Sequence, residues 1–210
     1  MANRAQRIIL FDFDGVIVDS FEAAYSIVEE LRLGYDREYY RKMFLGNIYD
    51  SVDDHHKDDA NKAASQAEWF NLYSQKLLAL PVIPGMVKVL TDLQKHYRLV
   101  IVSSSVNSPI HSYLELHNIH HLFDKVYGAD VHRSKVEKMK MVLSEYNITS
   151  PDCLFVTDTV GDLHEASKMN IASVVVTWGF HPKAYFADQA YQAMAEKPAD
   201  LLKIINRHFV

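Results

Sequence analysis

Hydrophobic and polar positions alternate in two different ways along this chain. Ile8-Ile9-Leu10-Phe11 is an unbroken apolar run between Arg7 and Asp12, which reads as a strand buried on both faces of its pleat. Leu99-Val100-Ile101-Val102, Leu154-Phe155-Val156 and Ser173-Val174-Val175-Val176 repeat that pattern, and Lys125-Val126-Tyr127 is a shorter version. Between the strands the apolar residues fall at helical spacing. Val87, Leu90 and Leu93 predict one helix, residues 135–146 a second, the stretch after Thr159 a third, and residues 199–206 a last one. Ser108-Pro109 predicts a helix start with serine at the N-cap and proline at the first helical position, where its missing N–H costs nothing. Strands alternating with helices are the mark of a parallel sheet with crossover helices, and five strands in this rhythm predict a doubly wound α/β sheet.

The stretch between the first and second strands breaks the rhythm. Ser20 is a candidate N-cap for a helix carrying Ala23, Ala24, Ile27, Val28 and Leu31, which Gly34 ends. From there to about Leu80 the text is helical and aromatic, with Tyr39, Tyr40, Phe44, Trp69, Phe70 and Tyr73, and has no β-branched run. Pro81-Val82-Ile83-Pro84-Gly85 closes it with a rigid, non-helical connection. The expected division is therefore a core of residues 1–20 and 83–210 with an inserted α-helical domain of residues 21–82.

Composition narrows the possibilities without redirecting them. The 210 residues are 49% hydrophobic, enough for a substantial core, and the net charge of -5 carries no basic block, which argues against a nucleic-acid partner. The single cysteine, Cys153, cannot form an internal disulfide and reads as buried filler in a reducing compartment. The N-terminal residues are polar and the apolar run after them is too short for a signal core or a membrane span. A cytoplasmic protein with no membrane partner is expected, as a monomer or homodimer.

In a doubly wound sheet the ligand crevice lies outside the carboxyl ends of the strands, so the polar residues closing each strand carry the chemistry. Asp12 and Asp14 follow the first strand two residues apart. In extended backbone they would face the same way and repel unless a cation neutralised them, which suggests a metal site, with Gly15 allowing a sharp turn. Alone, such a pair could equally be a solvated turn. Ser103 follows the second strand, where a hydroxyl and nearby N–H groups could hold a phosphoryl oxygen, although Ser104 and Ser105 leave open which hydroxyl points inward. Lys135 and Lys138, one helical turn apart, are candidates for an ammonium that neutralises a bound anion. After the fourth strand, Thr159 and Asp162 have capping-box spacing, which leaves Asp158 without a structural role and free to ligate a metal.

The string Asp12-Phe13-Asp14-Gly15-Val16-Ile17-Val18-Asp19-Ser20 resembles the first motif of the haloacid dehalogenase superfamily, in its phosphoglycolate phosphatase and β-phosphoglucomutase-like branch. A strand closed by Ser103, a lysine opening a helix, and Thr157-Asp158-Thr159-Val160-Gly161-Asp162 are similar to the other three motifs, in the same order. Two departures stand out: Val136 follows the lysine where the family often has proline, and Thr157 replaces a glycine. Val176-Thr177-Trp178-Gly179-Phe180 also looks like the segment after the fifth strand in phosphoglycolate-phosphatase-like members. The resemblance implies a Rossmann-like core with a helical cap, Asp12 as nucleophile and Asp14 as acid/base. It selects Ser103, favours Lys135 over Lys138, and implies Mg²⁺ held by Asp12, Asp14 and Asp158. Asp162 would either ligate the metal or orient a water or the lysine. Gly15, Ser103, Ser104 and Lys135 would hold the phosphoryl group.

The expected activity is hydrolysis of a small phosphorylated metabolite through an aspartyl phosphate. A phosphomutase, needing a second phosphate clamp in the cap, is the runner-up, and a non-catalytic binding module on the same fold is a third reading. Within the insert, Arg37, Arg41 and Lys42 could meet an anionic substrate or form surface pairs. The acidic run around Asp50–Asp59 reads as a solvated face, and His55-His56 is a weak metal candidate because adjacent side chains on a helix diverge.

Overall fold

The computed structural model describes residues 7–55 and 62–209. Six parallel strands, β1 (Ile8–Phe11), β2 (Arg98–Val102), β3 (Lys125–Tyr127), β4 (Cys153–Thr157), β5 (Ala172–Val176) and β6 (Ala193–Ala195), pair in the order β3-β2-β1-β4-β5-β6. The chain starts in the middle at β1, builds outward through β2 and β3, then crosses to the other side of β1 for β4 to β6. β1 is completely buried because it lies between β2 and β4 with both faces covered, which is why it contains no polar residue. The expected α/β doubly wound sheet is present with one strand more than the sequence predicts. β6 reads Ala-Met-Ala, lacks β-branched residues, and is held in register by its pairing to β5.

Helices α1 (Phe21–Glu30), α2 (Arg37–Lys42), α3 (Ile48–His55) and α4 (Lys62–Leu78) fill the expected helical insert, and α5 (Met86–Gln94) follows its exit. Its two connections run side by side: Val18 bridges Val82 in antiparallel fashion, and the Ile83 N–H donates to the Ile17 carbonyl at 3.0 Å. Buried aromatic residues of the insert, Phe21, Tyr25, Tyr40 and Tyr73, share one apolar cluster with Phe11, Phe13 and Tyr113 from the sheet side. The insert is therefore packed down on the sheet, with Phe180 making edge-on contacts to Phe21 and Phe44 at ring separations of 5.1 and 4.9 Å.

The remaining helices are α6 (Asn107–Leu116), α7 (Lys135–Glu145), α8 (Val160–Lys168) and α9 (Pro198–His208). α6 begins one residue before the expected Ser108 N-cap. Val106 occupies the cap position, and the Asn107 side chain accepts the Gly128 N–H at 2.8 Å. Ser20 stands at the N-cap of α1, yet its hydroxyl caps nothing and turns to Asp14. No helix among the described residues is long and apolar enough to cross a membrane.

Candidate active site

β1 and β4 are neighbours in register, Phe11 opposite Val156, so Asp12 and Asp158 emerge at the same carboxyl edge. They line one cavity of about 150 Å³ together with Asp14, Ser104, Ser105, Lys135, Asp162 and Glu165. Lys135 is the hub. Its Nζ lies 2.7 Å from Asp12 Oδ2 and 2.7 Å from Asp162 Oδ2, and all three side chains are buried. Such a triad holds only when every charge is paired, and removal of one member leaves an uncompensated buried charge.

The helix that carries Lys135 is positioned by a residue that spacing alone could not reveal. Glu165 of α8 accepts the Lys135 N–H at 2.8 Å, the Val136 N–H at 3.4 Å and the Ser134 hydroxyl at 3.2 Å, and so caps α7 from a neighbouring helix. Lys138 is also buried, but its Nζ donates to the Ser103 carbonyl at 2.6 Å, and it is absent from the cavity lining. Contacts thus divide the two lysines. The carboxylates beside Lys135 hold its ammonium well above the ordinary lysine range despite burial, whereas burial and the neighbouring Lys135 push Lys138 down to about 8.

Asp12 and Asp14 both line the cavity. The chain turns at Phe13, whose carbonyl accepts the Ile17 N–H at 2.9 Å, so the extended backbone assumed for the pair ends at Asp12. The Asp14 carboxylate accepts from the hydroxyls of Ser20 and Ser105 at 2.7 Å each, and from that of Tyr73 on α4. Tyr73 is thus a functional candidate that sequence reasoning missed, because it reaches Asp14 only through long-range packing, while Ser105 is one of the hydroxyls the sequence left open. Gly15 turns the chain with a φ of 72°, in the left-handed region. Ser103 is buried beneath the cavity, its Oγ accepting the Ser105 N–H at 3.0 Å, while Ser104 and Ser105 line the cavity itself.

Asp158 is fully buried, and its carboxyl is pushed up to about 7, chiefly by burial, against the pull of the Phe180 N–H. That N–H donates to Oδ2 at 2.7 Å, while Oδ1 has no hydrogen-bond partner among the described residues. Gly15 and Gly179 press against this carboxylate so closely that a side chain at either would collide with it. Burial likewise raises Asp12 well above the usual carboxylate range, although Lys135 opposes the shift. Asp162 is instead held below it: the Lys135 ammonium and the Thr157 hydroxyl, which donates at 2.6 Å, outweigh burial. Only half of the expected capping box forms. Thr159 accepts the Asp162 N–H at 3.4 Å, but the Asp162 carboxylate belongs to Lys135 and Thr157.

No three acidic, imidazole or thiolate side chains converge as a metal centre among the described residues. A hard divalent cation nevertheless fits what is there. Mg²⁺ needs one or two carboxylates and completes its shell with water and substrate oxygens, and Asp158 presents a partnerless oxygen on the Asp12 side of the sheet. His55-His56 and Asp58-Asp59 lie outside the residues whose side chains are described. Arg37, Arg41 and Lys42 are not among the residues that line the cavity. Arg37 pairs with Glu22, Lys42 lies 3.8 Å from Glu38, and Arg41 donates to the Phe180 carbonyl with its guanidinium 4.1 Å from the Phe21 ring centre.

His181 completes this last contact. Its Nε2 donates to the Arg41 carbonyl at 3.0 Å and its Nδ1 accepts the Val160 N–H at 3.0 Å. Burial pushes its pKa down to about 4, which keeps the ring neutral and Nδ1 an acceptor.

The family model for haloacid dehalogenase-like hydrolases matches residues 9–176. This chain belongs to that family. The phosphoglycolate phosphatase of Aquifex aeolicus is 25% identical over 97% of this chain and 99% of its own length. Pyrophosphatase PpaX of Oceanobacillus iheyensis is 25% identical over 97% and 98%. Among solved structures, a predicted phosphatase from Clostridium acetobutylicum superposes with a TM-score of 0.81 at 22% identity, covering 96% of this chain and 99% of that one. As a haloacid dehalogenase-like hydrolase of the phosphoglycolate-phosphatase-like branch, the chain is an enzyme with the Rossmann-like fold its motifs imply.

Proposed function

We propose that this hydrolase is a Mg²⁺-dependent phosphatase of small phosphorylated metabolites, acting in the cytoplasm, with residues 21–82 as a cap over a core formed by residues 1–20 and 83–210. The observation that carries the reading is the Lys135 ammonium shared between Asp12 and Asp162 at 2.7 Å each, at the strand edge where Asp158 keeps an unpaired oxygen. Asp12, Asp158 and the Asp14 main-chain carbonyl are the groups that would hold Mg²⁺, with Asp162 beside them. The cation would supply the positive charge that lets an anionic carboxylate approach an anionic phosphate.

Asp12 attacks phosphorus, the bond from phosphorus to the leaving oxygen breaks, and an aspartyl phosphate forms. The leaving oxygen takes a proton from Asp14. Asp14 then removes a proton from the water that attacks the aspartyl phosphate, which releases orthophosphate and restores Asp12. Lys135 holds Asp12 in place and offers charge to the phosphoryl oxygens, and Ser104, which lines the cavity, completes its cradle; Gly15, whose N–H goes to the Val18 carbonyl, and Ser103, which lies beneath the cavity, do not reach it. Glu165 fixes Lys135 through the first turn of α7. The three hydroxyls around Asp14 set the direction of its carboxyl. No basic residue of the cap lines the cavity among the described residues, so nothing there serves as the second phosphate clamp that a phosphomutase needs.

Release of phosphate from p-nitrophenyl phosphate in Mg²⁺, abolished by EDTA and restored by added Mg²⁺, is the expected result. Asp14→Asn should lower turnover about 10²- to 10⁴-fold while still binding Mg²⁺. Wild-type turnover in that variant would refute the role given to Asp14, and a Mg²⁺-independent rate would refute the role given to the cation.

A further inference from the structure

The half of the cavity that faces the helical insert specifies what kind of molecule carries the phosphate. Its walls are Tyr40, Phe44, Ile48, Val52, Trp69 and Phe70, all apolar or aromatic. Trp69 and Tyr73 stack at a ring separation of 4.9 Å and 13° between planes, so this wall presents flat faces. Three of its polar side chains are already engaged. The Tyr49 hydroxyl donates to the Ser104 carbonyl at 2.6 Å, Tyr73 donates to Asp14, and the Asn47 amide lies 3.4 Å from both Glu165 and the Arg133 carbonyl.

Charge makes the argument sharper. Among the described residues the lining carries five acidic side chains, Asp12, Asp14, Asp158, Asp162 and Glu165, against the single ammonium of Lys135, which two of them already share. A leaving group with its own carboxylate or second phosphate would find no cationic side chain among the described residues of the insert half. An uncharged ring has the opposite balance, because aromatic walls reward flat apolar area.

We infer that the leaving group is an uncharged, single-ring aryl or arylalkyl alcohol, and that substrates with a second anionic group, as the names of the Aquifex aeolicus and Oceanobacillus iheyensis relatives suggest for theirs, are disfavoured. This rests on the phosphatase reading above. The experiment compares phosphate release by the full chain in Mg²⁺ from benzyl phosphate, 2-phosphoglycolate, inorganic pyrophosphate and acetyl phosphate. The expected kcat/KM for benzyl phosphate exceeds those for 2-phosphoglycolate and pyrophosphate by about 100-fold. Equal or better use of either competitor with a second anionic group overturns this inference and leaves the phosphatase reading standing. No release from any of the four overturns both.

Two variants give an independent readout. Trp69→Ala should lower the benzyl-to-acetyl phosphate ratio of kcat/KM about tenfold through KM, because it removes one flat face. Phe70→Arg, which adds a cation to the apolar half, should raise the 2-phosphoglycolate-to-benzyl phosphate ratio at least tenfold. Ratios unchanged in both variants would overturn the assignment even if benzyl phosphate is the better wild-type substrate.

Discussion

At the sheet end of the cavity five carboxylates crowd around one ammonium, and at the insert end aromatic rings meet with no charge among the described lining residues. The two ends are held together by different forces. The charged end depends on complete pairing: Lys135 satisfies Asp12 and Asp162, Thr157 adds a hydroxyl to Asp162, and Asp158 keeps one oxygen for a cation. The aromatic end depends on area and shape, where individual contacts are small and substitutions are graded. A change at the charged end should therefore act almost as a switch, while a change at the aromatic end should retune selectivity.

The sharpest break is expected from Asp12→Asn, which removes the attacking oxygen's charge and should lower phosphate release by about 10⁴-fold or more, with no hydroxylamine-sensitive phosphoenzyme detected in an acid quench. Lys135→Met should come next. It strands two buried carboxylates, so a loss of about 3–5 kcal/mol in urea unfolding is expected together with loss of most activity. A variant as stable as wild type would show that the triad is not the keystone of the charged end.

Lys138 offers a quieter test one helical turn away. Folded Lys138 gives up its proton near pH 8, whereas an unfolded lysine keeps it until about 10.4. Between those values the unfolded chain binds more protons, so stability should rise with pH, by about 1.5 kcal/mol from pH 8 to 9.5. Lys138→Met should flatten that rise, and identical pH profiles for the two proteins would show that folded Lys138 keeps its proton through this range. The smallest effect is expected where the ends touch. Tyr73→Phe deletes the hydroxyl that the aromatic wall lends to Asp14 and should lower kcat about fivefold with little change in stability.

Much of the charged end could be read from the chain because its residues close buried strands. Asp12 ends β1, Ser103 follows β2 and Asp158 follows β4, and apolar runs announce all three strands. What the sequence leaves undecided are the choices made by partners distant in the chain. Lys135 and Lys138 are both lysines on one buried helix face, and Asp162, 27 residues on, distinguishes them. Ser20 has the look of an N-cap, but a carboxylate six residues earlier takes its hydroxyl. Glu165 and Tyr73 carry no local signature at all, since their roles exist only after α8 meets α7 and α4 meets the β1 loop. β6 escaped notice because pairing to β5, rather than its own Ala-Met-Ala, makes it a strand.

The exchange between Arg41 and the Phe180-His181 pair ties the insert to the sheet at a sensitive place. The guanidinium of Arg41 grips the Phe180 carbonyl while the amide of that same residue aims Asp158, and His181 fastens the Arg41 backbone in return. Phe180 therefore joins α2 to the Asp158 carboxylate through a single residue, its carbonyl held from the insert and its N–H holding the acid.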